Sequence, residues 1–383
     1  MRQFYLNRSG LNIYCQENLP CDFDNTKKYQ AILISHGFGA TIADCSDHYM
    51  RFTDNGIAVY GLEFLGGARS DSTHSQGSSL DMSIYTEVSD LEALIDYVRE
   101  LEYIDSEKMM LMGFSQGAFV SGITAARRAN DIARLIMVYP ALCMCDDARR
   151  GQLGGATYDI NNIPQSWDCP NGMVISKQFH EAVVDIDPLG ELMGYDKDVL
   201  IIHGMEDDIV HYSYSIRAKN KAYSKEKSQL LIMEKMGHCV PDTVYDAVFD
   251  SINFFIEGKK ELLTIKVIIT DNEVIEDTPG RHVNKIYFTG YCDSPMFKGA
   301  ILPGACDTQI TEEGVTRLRA VYTLFGKDSE GNTCTINIVN SRQGQYFRPV
   351  ITTDSKALAY LNDEACYGTL EHHDYGVTIR IWK

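Results

Sequence analysis

The sequence places a serine between two glycines, in the pattern G-x-S-x-G at residues 113–117. A short apolar run at residues 109–112 precedes it, and a helical pattern begins near Gln116. Between a strand and a helix, this pattern is typical of a nucleophile elbow, a sharp turn that needs small neighbours and lifts the serine hydroxyl out of the sheet. Ser115 is therefore predicted to be the nucleophile of a covalent reaction.

A serine hydroxyl is a poor nucleophile until a base removes its proton. His238, in the loop after the apolar run 230–233, is the predicted base. A carboxylate must hold that imidazole in the correct tautomer, and Asp207 fits the spacing H-G-x-x-D-x-x-V that begins at His203, with Asp208 in reserve. The chain order Ser, Asp, His is that of the α/β-hydrolase fold, whereas chymotrypsin-like and subtilisin-like enzymes have other orders.

Attack by a serine on a carbonyl produces an oxyanion, which two backbone N–H groups must stabilise. One donor is expected from the residue after the nucleophile, Gln116. The other is expected from Phe38, in the loop 36–40 that follows the predicted strand 31–34. Loss of one such donor costs about 3–4 kcal/mol of transition-state stabilisation.

Residues 1–258 alternate short β-branched runs with helical patterns, which is typical of a mostly parallel sheet covered by helices. Apolar residues spaced by three and four over 84–101 predict an amphipathic helix. About 60 residues separate the strands that end near 139 and start near 199, where one helix would suffice. Residues 141–197 are therefore predicted to form a functional lid or an inserted subdomain. The predicted strands are 31–34, 57–62, 109–112, 135–138, 199–202 and 230–233.

The sequence pattern of residues 262–383, short apolar runs separated by glycine-rich turns, predicts an all-β domain, either a sandwich or a small barrel. Only residues 355–361 are predicted to be helical. The acidic and histidine-containing segment 371–374 is interpreted as a polar turn. Adjacent residues of a strand face opposite sides, so His372 and His373 would not both reach one metal ion.

The formal charge of −18 disfavours binding to nucleic acid and to anionic membranes. No apolar run approaches the roughly 20 residues of a spanning helix, and the first residues lack the apolar core of a signal peptide. Eleven scattered cysteines are therefore interpreted as reduced thiols of a cytoplasmic protein. No cofactor and no metal ion are expected, and a homodimer is an assembly that the sequence allows.

The motifs at 36–38, 113–117, 203–207 and 237–238 resemble those of the bacterial cinnamoyl (feruloyl) esterases of the α/β-hydrolase superfamily. The resemblance covers about residues 1–257 and includes lid segments at 156–158 and 163–164. The segment 66–72 also resembles the glycine-rich loop of that family, with Ala68 in place of its second glycine. The resemblance implies an α/β-hydrolase domain over residues 1–258.

In that family the lid holds the aromatic acid, and an aspartate near the start of the lid binds a phenolic hydroxyl. By position, the resemblance implies that Asp147 has this role. Asp147 also lies beside Arg149 and Arg150, so the alternative is a solvated surface carboxylate.

Residues 262–383 are similar to a bacterial family of unknown function whose members are small lipocalin-like β-barrels. The similarity rests on the segments 299–307, 319–324, 346–349 and 367–369. It implies a fold and no activity. Asp307, Tyr322 and Arg348 are candidates for polar groups in the mouth of such a barrel, with a structural role as the alternative.

These observations lead to the expectation of a serine carboxylic-ester hydrolase that acts through an acyl-enzyme on small aromatic esters of the hydroxycinnamoyl type, such as feruloyl or caffeoyl esters. A broader carboxylesterase or an acyl-peptidase would use the same triad. In a third reading, the C-terminal barrel is the ligand-binding or assembly module of a fused protein.

Overall fold

The protein is described here by a computed structural model, which covers residues 1–69, 73–343 and 346–383. Contacts within the chain divide it into two compact units, Met1–Cys239 and Val240–Lys383.

The first unit is built on an eight-stranded sheet in the order β1-β2-β4-β3-β5-β6-β11-β12. The first two strands form an antiparallel hairpin, and β2 and β4 are also antiparallel. All other neighbouring strands of this sheet pair in parallel. The predicted α/β-hydrolase fold with a mostly parallel sheet is therefore confirmed. The strands are β1 (Arg2–Arg8), β2 (Leu11–Asn18), β3 (Tyr29–Ser35), β4 (Ala58–Leu62), β5 (Ile104–Phe114), β6 (Arg134–Val138), β11 (Asp198–Gly204) and β12 (Ser228–Met233).

Four helices accompany this sheet: α1 (Ser46–Asp54), α2 (Ile84–Arg99), α3 (Gln116–Arg127) and α7 (Ser213–Lys221). The predicted amphipathic helix is α2, which Ser83 caps by accepting the Thr86 N–H. Its apolar residues at spacings of three and four are buried, because they pack against β5 and α3. The core thus lies between the sheet and its helices and holds the ends of β5 and β11 in place.

The segment between β6 and β11 contains two hairpins and three short helices. Several of its residues, among them Leu153, Ile175 and Phe179, are buried in the core of the first unit. We call residues 141–197 the insertion. Its elements are α4 (Met144–Arg149), β7 (Gln152–Leu153), β8 (Ala156–Thr157), β9 (Ser166–Asp168), β10 (Val174–Ser176), α5 (Lys177–Val183) and α6 (Pro188–Leu192).

The second unit contains an antiparallel barrel, in which the nine strands of the described residues fill eight positions around the circumference. It closes because β13 pairs with both β14 and β21, and because β15 and β16 follow one another between β14 and β17. The predicted C-terminal all-β barrel is therefore confirmed. Its strands are β13 (Glu261–Thr278), β14 (Arg281–Asp293), β15 (Phe297–Ile301), β16 (Cys306–Glu312), β17 (Val315–Asp328), β18 (Thr333–Gln343), β19 (Tyr346–Thr353), β20 (Tyr367–His373) and β21 (Gly376–Trp382).

Helix α8 (Asp242–Ile256) belongs to the second compact unit, because it packs against β20 and its Phe254 contacts the ring of Trp382. The contact-based division thus lies at residues 239/240. The boundary between 258 and 262, inferred from the sequence families, stays a prediction.

Two local predictions for the barrel are wrong. Residues 355–361 do not form an α-helix, and only a 3₁₀ turn is present at Ala359–Asn362. The segment 371–374 is not simply a polar turn, because β20 continues through His373. Glu371 is buried there because it forms an ion pair with Arg380 at 3.0 Å.

In the described part of the chain, no helix combines the length and the apolar character needed to cross a membrane. All eleven cysteines are free thiols.

Candidate active site

Ser115 lies at the junction of β5 and α3, as the motif predicts, with φ = 52°. This left-handed conformation is strained for a residue with a side chain. The flanking glycines allow the tight turn, since a Cβ at Gly113 would lie 2.3 Å from the Gly117 carbonyl oxygen. A Cβ at Gly117 would lie 2.2 Å from the carbonyl oxygen of His36. The elbow geometry therefore depends on small residues at both positions.

The structure brings the three predicted catalytic residues together. His238 Nε2 lies 2.8 Å from Ser115 Oγ, and His238 Nδ1 lies 2.8 Å from Asp207 Oδ2. In the tautomer that suits these partners, Nδ1–H donates to the carboxylate and Nε2 accepts the serine proton. This is the arrangement that activates a serine nucleophile. Asp208, the reserve candidate, is exposed to solvent.

The carboxylate of Asp207 is buried, and both of its oxygens accept hydrogen bonds. Its Oδ1 accepts the backbone N–H groups of Ile209 and Val210 at 3.0 and 2.8 Å. Burial by itself raises the pKa of Asp207, but hydrogen bonds from His203, His238 and the Val210 N–H outweigh burial and hold the pKa well below its usual range. Asp207 is therefore ionised at any pH near neutrality, as a group that orients an imidazole must be.

His203 is a part of the site whose role the sequence reasoning did not recognise. Its Nδ1 accepts the Ser215 hydroxyl at 2.7 Å, which leaves Nε2–H facing the Val210 carbonyl oxygen at 2.7 Å and Asp207 Oδ2 at 3.2 Å. His203 thus fixes the loop that carries Asp207. The signal was present in the sequence as the first residue of H-G-x-x-D. The next residue, Gly204, lets the loop of His238 approach, since a Cβ there would lie 1.9 Å from a backbone oxygen of that loop.

The predicted oxyanion donors flank the nucleophile. Gln116 is the first residue of α3, so its N–H has no partner within the helix. The loop that carries Phe38 lies against Ser115, because a Cβ at Gly37 would be 3.3 Å from Ser115 Cβ. Both residues line one cavity with Ser115. Their role as oxyanion donors stays a prediction.

A buried carboxyl group supports the side chain of Gln116. Gln116 Nε2 lies 2.9 and 2.8 Å from the two carboxyl oxygens of Glu87 on α2, and both residues are about 1% exposed. Burial raises the pKa of Glu87 to about 8, against the opposing effect of the Gln116 hydrogen bonds and with a contribution from Asp90. Glu87 is therefore protonated in the folded protein below this pH.

This elevated pKa makes stability depend on pH. An unfolded glutamic acid ionises near 4.5, so between about pH 4.5 and 8 the folded state binds one proton more than the unfolded state. The free energy of unfolding should fall as pH rises through this window, relative to Glu87→Gln, by on the order of a few kcal/mol. Denaturant titrations of both proteins across this pH range measure the difference. Exposed Glu100→Gln, at the end of the same helix, is the control. Parallel curves for wild type and Glu87→Gln would contradict the buried-acid interpretation.

The serine opens into a cavity of about 830 Å³. The insertion contributes apolar walls from Met144, Leu153 and Phe179, and it also contributes Asp147. The Asp147 side chain is 27% exposed and forms an ion pair with Arg150. Asp147 therefore lines the cavity and is also paired at the surface, so the structure places it where either of its predicted roles can operate.

The other sequence candidates are not among the described residues that line this cavity. In the glycine-rich loop 66–72, the Gly39 N–H donates to the Gly67 carbonyl oxygen at 3.0 Å, and residues 70–72 lie outside the described residues. In the barrel, Asp307 lines a second cavity. Tyr322 is buried against Phe288, and Arg348 lies over the ring of Tyr367 at 3.8 Å.

Solved structures of similar fold align with about two thirds of the chain. Two structures of Est1E from Butyrivibrio proteoclasticus, one with ferulic acid bound, align with 67% of this chain and 98% of theirs, at 22% identity and TM-scores of 0.61 and 0.58. Mouse alpha/beta hydrolase domain-containing protein 10 aligns over the same share of this chain at 15% identity and a TM-score of 0.52. At these identities, the similarity establishes the fold alone.

Sequence comparison identifies the family. The Escherichia coli protein YcjY, which is uncharacterized, is 28% identical over 115 residues, a stretch that spans 29% of this chain and 35% of YcjY. The pattern of the prolyl oligopeptidase family, peptidase S9, matches residues 45–258, which include Ser115, Asp207 and His238. Because this match covers more than half of the chain, the protein belongs to the prolyl oligopeptidase family of α/β-hydrolases.

Proposed function

We propose that the protein is a serine carboxylic-ester hydrolase that acts through an acyl-enzyme on small aromatic esters of the hydroxycinnamoyl type. The observation that carries the proposal is the hydrogen-bonded chain from Ser115 through His238 to Asp207, which opens into the 830 Å³ cavity. A cavity of this size accommodates a small aromatic ester.

In the first half of the reaction, His238 Nε2 takes the proton of Ser115 as Oγ attacks the ester carbonyl. The N–H groups of Gln116 and Phe38 stabilise the oxyanion. His238 then gives its proton to the leaving alcohol, and the acyl group stays on Ser115. In the second half, His238 activates a water molecule in the same way, and the carboxylic acid is released. Asp207, held ionised by its hydrogen bonds, stabilises the imidazolium in both halves.

The insertion is proposed to act as a lid that holds the acyl half of the ester. Met144, Leu153 and Phe179 supply apolar walls for an aromatic ring, and Asp147 supplies an acceptor for its phenolic hydroxyl. The structural neighbour Est1E was solved with ferulic acid bound, which supports testing an ester of a phenolic acid as the first substrate.

Replacement of Asp147 by alanine should narrow the ratio of kcat/KM for caffeoyl over cinnamoyl esters. A site that bonds a hydroxyl discriminates against an analogue without one, by roughly 10-fold or more, because its polar group is then left unpaired. Hydrolysis of p-nitrophenyl acetate, which has no ring on the acyl side, should barely change.

Asp146→Ala is the matched control for that substitution. Asp146 is the preceding residue of α4, but it bonds Arg149 and the Tyr214 hydroxyl and is not among the residues that line the cavity. An unchanged caffeoyl-to-cinnamoyl ratio in Asp147→Ala, or the same change in Asp146→Ala, would assign Asp147 to the surface.

Membership of the prolyl oligopeptidase family favours a second candidate, an acyl-peptidase with the same triad. A panel of p-nitrophenyl, feruloyl, caffeoyl and aminoacyl esters, together with aminoacyl anilides, separates the two. Feruloyl and caffeoyl esters should have the highest kcat/KM. Preference for the aminoacyl anilides would replace the esterase proposal with the peptidase, and equal use of all esters would indicate a broad carboxylesterase. A cytoplasmic location and a homodimer are further proposals, which fractionation and sedimentation can test.

A further inference from the structure

The residue directly after β6 has a backbone conformation that side chains rarely adopt. Tyr139 has φ = 38°, and it is one of four residues other than glycine with a positive φ in the described part of the chain; Ser115 is another. This conformation is strained for a bulky residue. Pro140 adds to the strain, because a residue before proline favours extended backbone. Such residues persist only where the surrounding structure holds them, and they cluster at active sites.

Backbone hydrogen bonds hold the chain around Tyr139 in place. The Ser115 N–H donates to the Val138 carbonyl oxygen at 3.0 Å, and the Ala141 N–H donates to the Ser115 carbonyl oxygen at 3.0 Å. The N–H of Tyr139 itself donates to the Ile202 carbonyl oxygen in β11 at 2.7 Å. The chain on both sides of Tyr139 is thus bonded to the backbone of the nucleophile, and Tyr139 is bonded to the strand that precedes the loop of the catalytic acid.

The side chain of Tyr139 lies against the catalytic base. The centroid of its ring is 4.8 Å from that of the His238 imidazole, with 49° between the ring planes. The ring of Phe114 lies on another side, with a centroid distance of 5.9 Å. Tyr139 is 8% exposed and lines the cavity together with Ser115 and His238. A single residue therefore contacts the base and is tied by backbone bonds to the elements that carry the other two members of the triad.

The imidazole of His238 needs support beyond its hydrogen bonds. Its two nitrogens are bonded to Asp207 and Ser115 at the edge of the ring. Bonds at two edge atoms still allow the imidazole to tilt about the line that joins them, and a ring packed against it limits this movement. Proton transfer depends on the geometry, since a displacement of about 1 Å costs on the order of 100-fold in rate.

We propose that Tyr139 is a positioning residue of the triad. Its ring holds the imidazole of His238 in line with Ser115, and the strained backbone at residue 139 places the ring there. The proposal rests on the proposed serine hydrolysis, although not on the class of ester. Because the ring acts on proton transfer, its loss should lower kcat and leave KM nearly unchanged. The ring carries the effect, so the hydroxyl of Tyr139 is not required.

Three variants separate the ring from the hydroxyl and from general packing. Tyr139→Phe keeps the ring and should retain kcat within about threefold of wild type. Tyr139→Leu removes the ring and should lower kcat for p-nitrophenyl acetate roughly tenfold or more, with KM within about threefold. Tyr223→Leu is the matched control and should leave kcat close to that of wild type. Tyr223 is a buried tyrosine of the same unit, 7% exposed, and is not among the described residues that line the cavity.

Labelling of Ser115 by an aryl phosphonate ester gives a second readout, which needs no particular ester substrate. The rate of labelling should fall roughly tenfold or more in Tyr139→Leu and stay close to that of wild type in Tyr139→Phe. Equal labelling rates in Tyr139→Leu and wild type would overturn the proposal, and so would a change in KM alone. An equal loss of kcat in Tyr139→Phe and Tyr139→Leu would assign the effect to the hydroxyl and would overturn it as well.

A thermal melt shows whether each variant is folded. If Tyr139→Leu does not fold, Tyr139→Met, with its unbranched and flexible side chain, is measured instead. Failure of both variants to fold would show a purely structural role and would overturn the proposal. A wild-type protein that is labelled at Ser115 but hydrolyses no hydroxycinnamoyl ester would contradict the proposed substrate class alone, because the labelling rates still measure the effect of the ring.

Discussion

Ser115→Ala should lower kcat for ester hydrolysis by several orders of magnitude, on the order of 10⁶ by comparison with other serine hydrolases. The reason is that Oγ, 2.8 Å from His238 Nε2, is the atom that forms the acyl-enzyme. The fold should be unaffected, because the backbone strain of the positive φ at this turn is about the same for alanine as for serine. Steady-state kinetics of the purified variant measure kcat, and a thermal melt shows whether the fold is retained.

Ser121→Ala is the matched control for the nucleophile. Ser121 lies on the same helix, α3, and its buried hydroxyl has no partner among the described residues. Its removal should leave kcat close to that of wild type. Activity of Ser115→Ala within about tenfold of wild type would contradict hydrolysis by this serine.

Asp207→Asn should lower kcat by on the order of 10⁴. An asparagine can still accept the N–H groups of Ile209 and Val210 through its oxygen. Its amide nitrogen would then face the N–H groups of His203 and His238, donor against donor. The imidazole of His238 must leave its orientation or change its tautomer, and Nε2 no longer accepts the serine proton.

Asp208→Asn tests whether this effect is specific, because Asp208 is the next residue and is exposed. Its kcat should change by less than about threefold. A larger loss in Asp208→Asn than in Asp207→Asn would move the orienting role to Asp208.

The sequence predicted the triad geometry well because each member follows a parallel strand. The ends of such strands meet at one edge of the sheet, so short motifs after β5, β11 and β12 locate Ser115, Asp207 and His238 with no knowledge of the rest. The glycines of these motifs also predict close backbone contacts, since only glycine permits the backbone approaches seen at residues 117 and 204.

Other parts of the site depend on contacts that no local pattern encodes. Glu87 is one polar residue on an amphipathic helix, and only the packing of α2 against α3 shows that it is buried beneath Gln116. Likewise, the local sequence around Glu371 predicts an exposed polar residue. Only the register of β20 and β21, which brings Arg380 close, shows that Glu371 is buried in an ion pair. At 355–361 the structure has a turn in place of the predicted helix, and it buries Leu358 and Leu361 in the barrel core, a contact that no local pattern encodes.

Covalent labelling tests the central proposal, acyl transfer to Ser115, most directly. The full-length protein is incubated with an aryl phosphonate ester, which forms a stable adduct with an activated serine, and its peptides are mapped by mass spectrometry. We expect one adduct per chain, on the peptide that contains Ser115, with loss of ester hydrolysis in proportion to labelling. His238→Ala should form that adduct far more slowly, and Ser115→Ala should form none. An adduct on another residue, or a wild-type enzyme that hydrolyses esters and stays unlabelled, would contradict the proposal.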